Sequence, residues 1–596
     1  MKASNWRLIV CSLLALSCRG GAGDDTSPKV GKEPVLVFDL SSGVSESQSG
    51  AGFFPLPFER TLLGQIKAIE AARNAASAKG YFVKLAGADL GWAATEELGR
   101  SFQELKATGK PVICHADALT NSSLWLVARG CSEVWLSPGG SVDSFGMGGQ
   151  AVYFGGLLRK LRVQAEFLHM GKYKSAAEMF TDSGPSEPAK ESMQSLLDSM
   201  RETWRAGIAE SRPDPRAADA AENGPWLPEE ARAIGLIDGV GFESEARSKL
   251  AQLTSTDLTE SGPAVTPPKR DVGLVSLLFK VLSGDTKETK GPRIAVLPAI
   301  GEITYGGGGG LSSEGISVAG LTQQIRKLRE DAEVTAVVLR IDSPGGSALA
   351  SDLLWHELRR LAERKPVVTS VGEMAASGGY YLASATQKIV AEKTSWVGSI
   401  GVVGGKFTFG EALADLGVTA HTFTATGSDP SKTRAAYESP FTPWDDAARE
   451  RVSRQMERIY RLFIERVAEG RKLPVAQVET VAEGRVWTGA QGANNGLVDE
   501  LGGLTRAIEV ARELAGAPPT LPVVLEGESD PFKALLGLDD DEPEQVRARA
   551  RALLQQGPSW VHLLTTAERR QLGSLLPLMG NENVVVALPF VLRTDK

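Results

Sequence analysis

Four cysteines and five histidines are all that 596 residues contain. The histidines are scattered without ligand spacing, so neither a metal site nor a metal-dependent reaction is expected, and no other cofactor is implied. Two cysteines, Cys11 and Cys18, fall near the start of the chain. Cys114 and Cys131 are left as either a pair in an oxidising compartment or two buried thiols. Positive charge is also in short supply: 65 Lys and Arg stand against 73 Asp and Glu, for a net charge of −8, with both signs interspersed. Without a basic run there is no electrostatic footprint for nucleic acid, and that class of partner is set aside.

The apolar run from Leu8 to Leu16 falls well short of the ~20 residues needed to cross a bilayer. Behind Lys2 and Arg7 it suits the h-region of an export signal. Small Ser17 before Cys18 resembles a bacterial lipoprotein cleavage box, which would leave Cys18 carrying the lipid and residues 19–33 as a polar, Gly-rich tether. An ordinary cleaved signal with an incidental cysteine is the alternative.

The rest of the chain repeats itself. Residues from Phe82 match residues from Val337 at a constant offset of 255, as in Val83 and Val338 or Lys110 and Lys365, without a gap through Gly146 and Gly401. A second match aligns Trp226 with Trp487 and Asp238 with Asp499 at an offset of 261, so the later copy carries a small insertion. Each copy reads as alternating strands and helices. AVVLRI, ending at Ile341, fits a buried parallel strand; Leu349, Leu353, Leu354, Leu358 and Leu361 then trace a helical face before PVVTSV starts the next strand. The predicted fold class is therefore α/β, built as a tandem duplication of a βαβ domain. We place the first copy at 34–270, a linker at 271–290, the second copy at 291–515 and an extension at 516–596. In that extension ENVVVALPFVL is a candidate strand, and the segment VGLVSLLFKVL from Val272 reads as a packed helix, with a membrane-surface helix as the alternative.

Two Gly-rich turns in the second copy could do chemistry. Asp342-Ser343-Pro344-Gly345-Gly346-Ser347 follows one strand and opens a helix, so its N–H groups can face a phosphate or a developing oxyanion. Ala375-Ala376-Ser377-Gly378-Gly379 follows the next strand, presenting a serine at a strand-to-helix turn. Alone, such a serine is ordinarily an N-cap. Together the turns supply a nucleophile and two oxyanion donors, the N–H groups of Gly346 and Gly378. The glycines at 306–310 lack a following Lys-Ser/Thr and read as a loop, not a phosphate cradle.

These segments, SPGGS, MAASGGYYLAS, WVGSIGVVGG and RVWTGAQGANNGLVDELGG, with VWLSPGGSVDSFGM and FLHMGKYKSAAEMF in the first copy, resemble the long, duplicated form of the signal peptide peptidase A family, related to the Clp protease proteolytic subunit and the crotonase fold. The resemblance implies a Ser/Lys-dyad endopeptidase with Ser377 as nucleophile, Lys174 as general base and Ser399 hydrogen-bonding the lysine amine. It also implies remnant signal peptides or other membrane-derived peptides as substrates, a homo-oligomer such as a tetramer, and attachment to the membrane of the bacterial envelope with the catalytic domains outside the cytoplasm.

The residues support this division of labour independently. Projected into the second copy, Lys174 falls on Asp429 or Ala435, neither a base for serine. Ser377 projects back to Ser122, which Ser123-Leu124 follows in place of Gly-Gly, and the first copy's opposing turn, Gly87-Ala88-Asp89-Leu90-Gly91, lacks the Gly pair. The first copy has kept a base and the second a nucleophile. Lys172 and Lys432 are the lysines most easily confused with Lys174. A crotonase-like acyl-CoA enzyme and a non-catalytic lipid-tethered scaffold are the competing functions.

Overall fold

The computed structural model describes residues 29–46, 60–88, 90–266, 291–306, 315–423, 425, 436–526 and 585–586. Cys18 and the leader, the 271–290 linker with its Val272 segment, Gly307–Gly310, Asp89 and Lys432 lie outside the described residues. Among the described residues no helix is long and apolar enough to cross a membrane.

In the first half β1 (Val35–Asp39), β2 (Gly80–Ala86), β3 (Val112–Thr120) and β4 (Glu133–Asp143) form a parallel sheet in the order β4-β3-β2-β1. Parallel neighbours need crossovers. α1 (Trp92–Lys106) supplies one between β2 and β3, and α2 (Asn121–Gly130) another between β3 and β4. β5 (Gln164–Met170) leaves this sheet and pairs elsewhere.

The second half repeats the pattern with β6 (Arg293–Ile300), β7 (Val334–Ser343), the two-residue β8 (Gly346–Ser347) and β9 (Val367–Ala376). α3 (Ala348–Ala362) and α4 (Gly378–Ala383) fall where the offset puts the counterparts of α1 and α2. β6, β7 and β9 run parallel, with β7 in the middle. Alternation along these strands splits the burial. Val337, Leu339 and Ile341 pack with Leu354 and Leu358 of α3 on one face. Val296, Val338 and Val368 point the other way, into a core that also holds Leu98, Phe102 and Trp125 of the first half. The two copies thus share apolar packing.

Two details depart from expectation. Of the leucines read as the buried face of α3, only Leu354, Leu358 and Leu361 are buried, while Leu349 and Leu353 face outward. Small Ala350 and Ser351, with Trp355, complete the inward stripe because α4 packs so close: a Cβ at Gly378 would stand 2.6 Å from Ser351 Oγ. The run AVVLRI, read as apolar throughout, carries Arg340 into the interior. Its guanidinium is satisfied by Glu46 (2.8 and 2.6 Å), Ser370 Oγ (2.9 Å) and the Val371 carbonyl (2.9 Å). A buried cation persists only when paired and hydrogen-bonded in this way.

Of the alternatives for Cys114 and Cys131 the structure adopts the disulfide, with Cα atoms 5.9 Å apart. β10 (Val402–Thr408) follows the Ser399 turn, and within the run ENVVVALPFVL the expected strand appears as β11 (Val585–Val586).

Candidate active site

β5 of the first half pairs antiparallel with β10 of the second, from Gln164 opposite Thr408 to Met170 opposite Val402. This ladder carries the base across the duplication: Lys174 lies four residues beyond its Met170–Val402 end and Ser399 three residues before that same end. Nζ of Lys174 is 2.6 Å from Ser377 Oγ, 2.9 Å from the Ser399 carbonyl oxygen and 3.0 Å from Ser399 Oγ. All three side chains are fully buried. The structure therefore brings together the residues that the sequence assigned to nucleophile, base and orienting hydroxyl.

Ser377 sits where a helix cap would, at the start of α4, yet its side chain makes no capping bond. Its backbone has φ +57°, uncommon for a non-glycine residue, and is held there by Ser377 N–H donating 2.8 Å to the Gly398 carbonyl. Strain of this sort costs on the order of 1–3 kcal/mol and survives only where the surroundings over-determine it. Its counterpart in the first half, Ser122, is engaged locally, 3.2 Å from Thr120 Oγ1 in the first turn of α2.

The glycine turns meet beside Ser377. An ideal Cβ on Gly378 would lie 3.2 Å from the Gly345 Cα, and one on Gly346, whose φ is +151°, would lie 2.1 Å from the Ile303 carbonyl oxygen. Gly378 is the first residue of α4, so its N–H has no intrahelical acceptor. Gly346 belongs to β8, and β11 runs antiparallel between β8 and β10: Val586 lies opposite Gly346, and Val585 opposite both Ser347 and Val403.

Sequence reasoning missed the turn that seats the lysine. Tyr173 N–H donates to the Glu483 carbonyl (2.8 Å), Ser399 N–H to the Arg485 carbonyl (2.7 Å) and Gly484 N–H to the Ile400 carbonyl (2.7 Å). The segment 483–485 thus grips the base loop and the Ser399 turn at once. Gly484, with φ +81°, comes so close that a Cβ there would stand 2.5 Å from Lys174 N. Its place directly before the Arg485-Val486-Trp487 segment that carries the resemblance was the available signal.

No charged partner explains the state of Lys174. Burial alone disfavours its ammonium form and holds its pKa well below the ordinary lysine value. Lys172 is excluded as the base: it is exposed and ion-paired with Glu483 at 3.3 Å. Another buried lysine, Lys406, is spent on the carbonyls of Tyr437, Ser439 and Thr442. Among the described residues no group of His, Cys, Asp and Glu could hold a metal ion.

The model of peptidase family S49 matches residues 104–257 and 359–517, two stretches that begin one repeat offset apart. Serine protease SPPA, chloroplastic, of Arabidopsis thaliana is 31% identical over 516 residues, covering 85% of this chain and 73% of that protein. Protease 4 of Haemophilus influenzae is 32% identical over 468 residues, covering 75% and 72%. Protease 4 of Salmonella typhi is 30% identical over 522 residues, covering 83% and 79%. Among solved structures, a ClpP1 mutant from Listeria monocytogenes is 12% identical, spanning 36% of this chain and 94% of that one at a TM-score of 0.24. The duplicated α/β chain belongs to peptidase family S49 and is a serine peptidase.

Proposed function

We propose that the chain cleaves remnant signal peptides and other membrane-derived peptides with Ser377 as nucleophile and Lys174 as general base. The observation that carries this reading is the 2.6 Å approach of a buried amine to a buried hydroxyl. A neutral amine has two N–H bonds and one lone pair. With its hydrogens donated to the Ser399 carbonyl and Oγ, the lone pair is left for the Ser377 hydroxyl proton. As Oγ attacks the scissile carbonyl, that proton passes to Nζ, and the resulting ammonium returns it to the leaving amine. Water, deprotonated by the same amine, then releases the acyl group. The N–H groups of Gly346 and Gly378 stabilise the tetrahedral oxyanion. An acyl-CoA enzyme of the crotonase type would need carboxylates at the reacting atoms, where this chain has an amine.

The substrate enters extended. The groove between β8 and β10 already pairs with a strand on both sides, since β11 lies there. A disulfide fits an oxidising compartment, and with Cys18 as the lipid-bearing residue the catalytic halves stand outside the cytoplasm, tethered to the envelope membrane. Family resemblance supports a homo-oligomer, with a tetramer as the form to test by light scattering.

The deciding experiment treats the purified chain with a fluorophosphonate and digests casein and a synthetic signal peptide. Label on Ser377 and loss of both activities in Ser377→Ala are expected. Label on another serine, or an active Ser377→Ala, overturns the reading.

The position of β11 gives a separate expectation. A variant ending at Gly580 exposes the groove, and relief from a tethered occupant should raise the labelling rate about tenfold. An unchanged rate would mean that β11 does not compete for the groove.

A further inference from the structure

The first half has lost its oxyanion turn, yet the helix that followed it, α1, still begins with N–H groups that have no intrahelical acceptor and has no capping side chain of its own, its N-cap being Gly91. By the repeat offset Gly91 corresponds to Gly346. The place where an oxyanion would sit is filled from the second half. Glu373 of β9 accepts from Trp92 N–H (2.8 Å), Ala93 N–H (3.0 Å) and Ala94 N–H (3.4 Å). The fit is close: a Cβ on Gly91 would stand 2.2 Å from Glu373 Oε1. The offset puts Ala118 at the matching place in the first half, so the arrangement runs one way only.

Helix α1 answers from its next turn. Glu97 accepts from Leu504 N–H (2.9 Å) and Thr505 N–H (2.7 Å) at the start of α5 (Leu504–Ala515) in the second half. Glu96 accepts from Thr394 N–H (3.3 Å), and Arg100 pairs with Glu392. One helix of the base-bearing half is therefore clamped at successive turns to the nucleophile-bearing half.

Glu373 lies on β9, four residues before Ser377, which follows directly on the end of that strand. We infer that Glu373 is a positioning residue of the peptidase: by docking the end of β9 onto the N-terminus of α1, it holds the strained Ser377 turn against the amine delivered by the first half. This inference rests on the Ser377/Lys174 reading. Two simpler roles for this carboxylate do not fit its position. A cap that merely stabilised α1 would be expected on α1 or in the chain just before it, not on the strand leading to the nucleophile. A carboxylate acting on substrate would have to face the groove, whereas this one faces three backbone N–H groups.

The surroundings add a pH signature. Glu373 faces Asp342 on β7, Glu46 after β1 and the N–H groups of α1. Desolvation, followed by the Asp342 charge, raises its pKa to about 7. The ionised form accepts all three N–H bonds most strongly, so protonation loosens the dock, and activity resting on it falls as pH drops through about 7.

The test compares Glu373→Gln, Glu373→Ala and Gly91→Ala with the parent chain, following fluorophosphonate acylation of Ser377, kcat, KM and melting. Glu373→Ala and Gly91→Ala should each lose kcat by about tenfold or more with KM within about twofold, since misplacement of reacting groups acts on the chemical step. Glu373→Gln keeps an acceptor oxygen without a titrating proton. As the neutral isostere of the protonated carboxyl, it should show at pH 8 the lowered kcat that the parent shows below pH 7, and lose the step near pH 7 that Glu373 contributes. A parent-like pH profile in Glu373→Gln, or kcat per folded molecule unchanged in the other two, overturns the inference. Parent chain that acylates elsewhere than Ser377 would instead sink the dyad reading on which it rests.

Discussion

Lys174→Met should abolish peptidase activity while the chain melts at the parent temperature or above it. Methionine keeps most of the volume and the straight stem of lysine, so the cavity cost of an alanine is avoided. Loss of the base that lies 2.6 Å from Ser377 Oγ should cost at least about 10³-fold in kcat/KM. The sign of the stability change follows from linkage. The folded-state pKa of Lys174 lies well below the ordinary value, so between the two pKa values the unfolded chain holds a proton that the folded chain has given up. Folded stability therefore rises with pH across that window and falls on acidification toward the folded-state pKa. Replacing the amine removes this proton release. The melting temperature of Lys174→Met should depend less steeply on pH than that of the parent. Activity of the parent should rise with pH as the amine deprotonates, because only the neutral form accepts the serine proton. Lys174→Ala should be equally inactive, with Lys432→Ala as the active control. Retained turnover in Lys174→Met, or its loss in Lys432→Ala, would remove the lysine from the mechanism assigned to it.

Much of this site could be read from the chain because duplication made the sequence its own comparison. A constant offset located α1 and α3, β3 and β9, and showed which copy had lost Gly-Gly after its serine and which lacked a lysine. Strand β7 was recognisable from its run of branched apolar residues, since a central parallel strand is buried on both faces. Other features depend on partners distant in the chain, and local patterns carry no record of them. Nothing within Gln164–Met170 announces that it pairs with Val402–Thr408, although that ladder brings the lysine to the serine. Arg340 went unseen within a run read as apolar throughout, because its partner, Glu46, belongs to the other half. Leu349 and Leu353 satisfied helical periodicity yet face outward, since close packing of α4 on α3 selects Ala350 and Ser351 for the inner stripe. Glu373 was passed over because its role is set by the helix end it meets across the duplication.

Gly484→Ala should cost about 10²-fold in kcat, although residue 484 bears no group that could take part in the reaction. Two effects are superposed at this position. With φ +81°, an alanine is strained by about 1–2 kcal/mol irrespective of its neighbours. Its Cβ would also lie 2.5 Å from Lys174 N and 2.6 Å from Lys174 Cβ, distances that backbone cannot tolerate, so the base loop must retreat. A displacement near 1 Å between amine and hydroxyl is enough for a loss of about 10²-fold. Gly109→Ala separates the two effects. Gly109 has φ +80° and nothing within 4 Å of its ideal Cβ, so alanine there carries the same conformational cost with no collision. Both variants should melt a few degrees lower, but only Gly484→Ala should lose turnover, and its acylation by fluorophosphonate should slow in proportion. If Gly484→Ala turns over at the rate of Gly109→Ala, the 483–485 turn does not set the distance between base and nucleophile, and the lysine is held by the β5–β10 ladder alone.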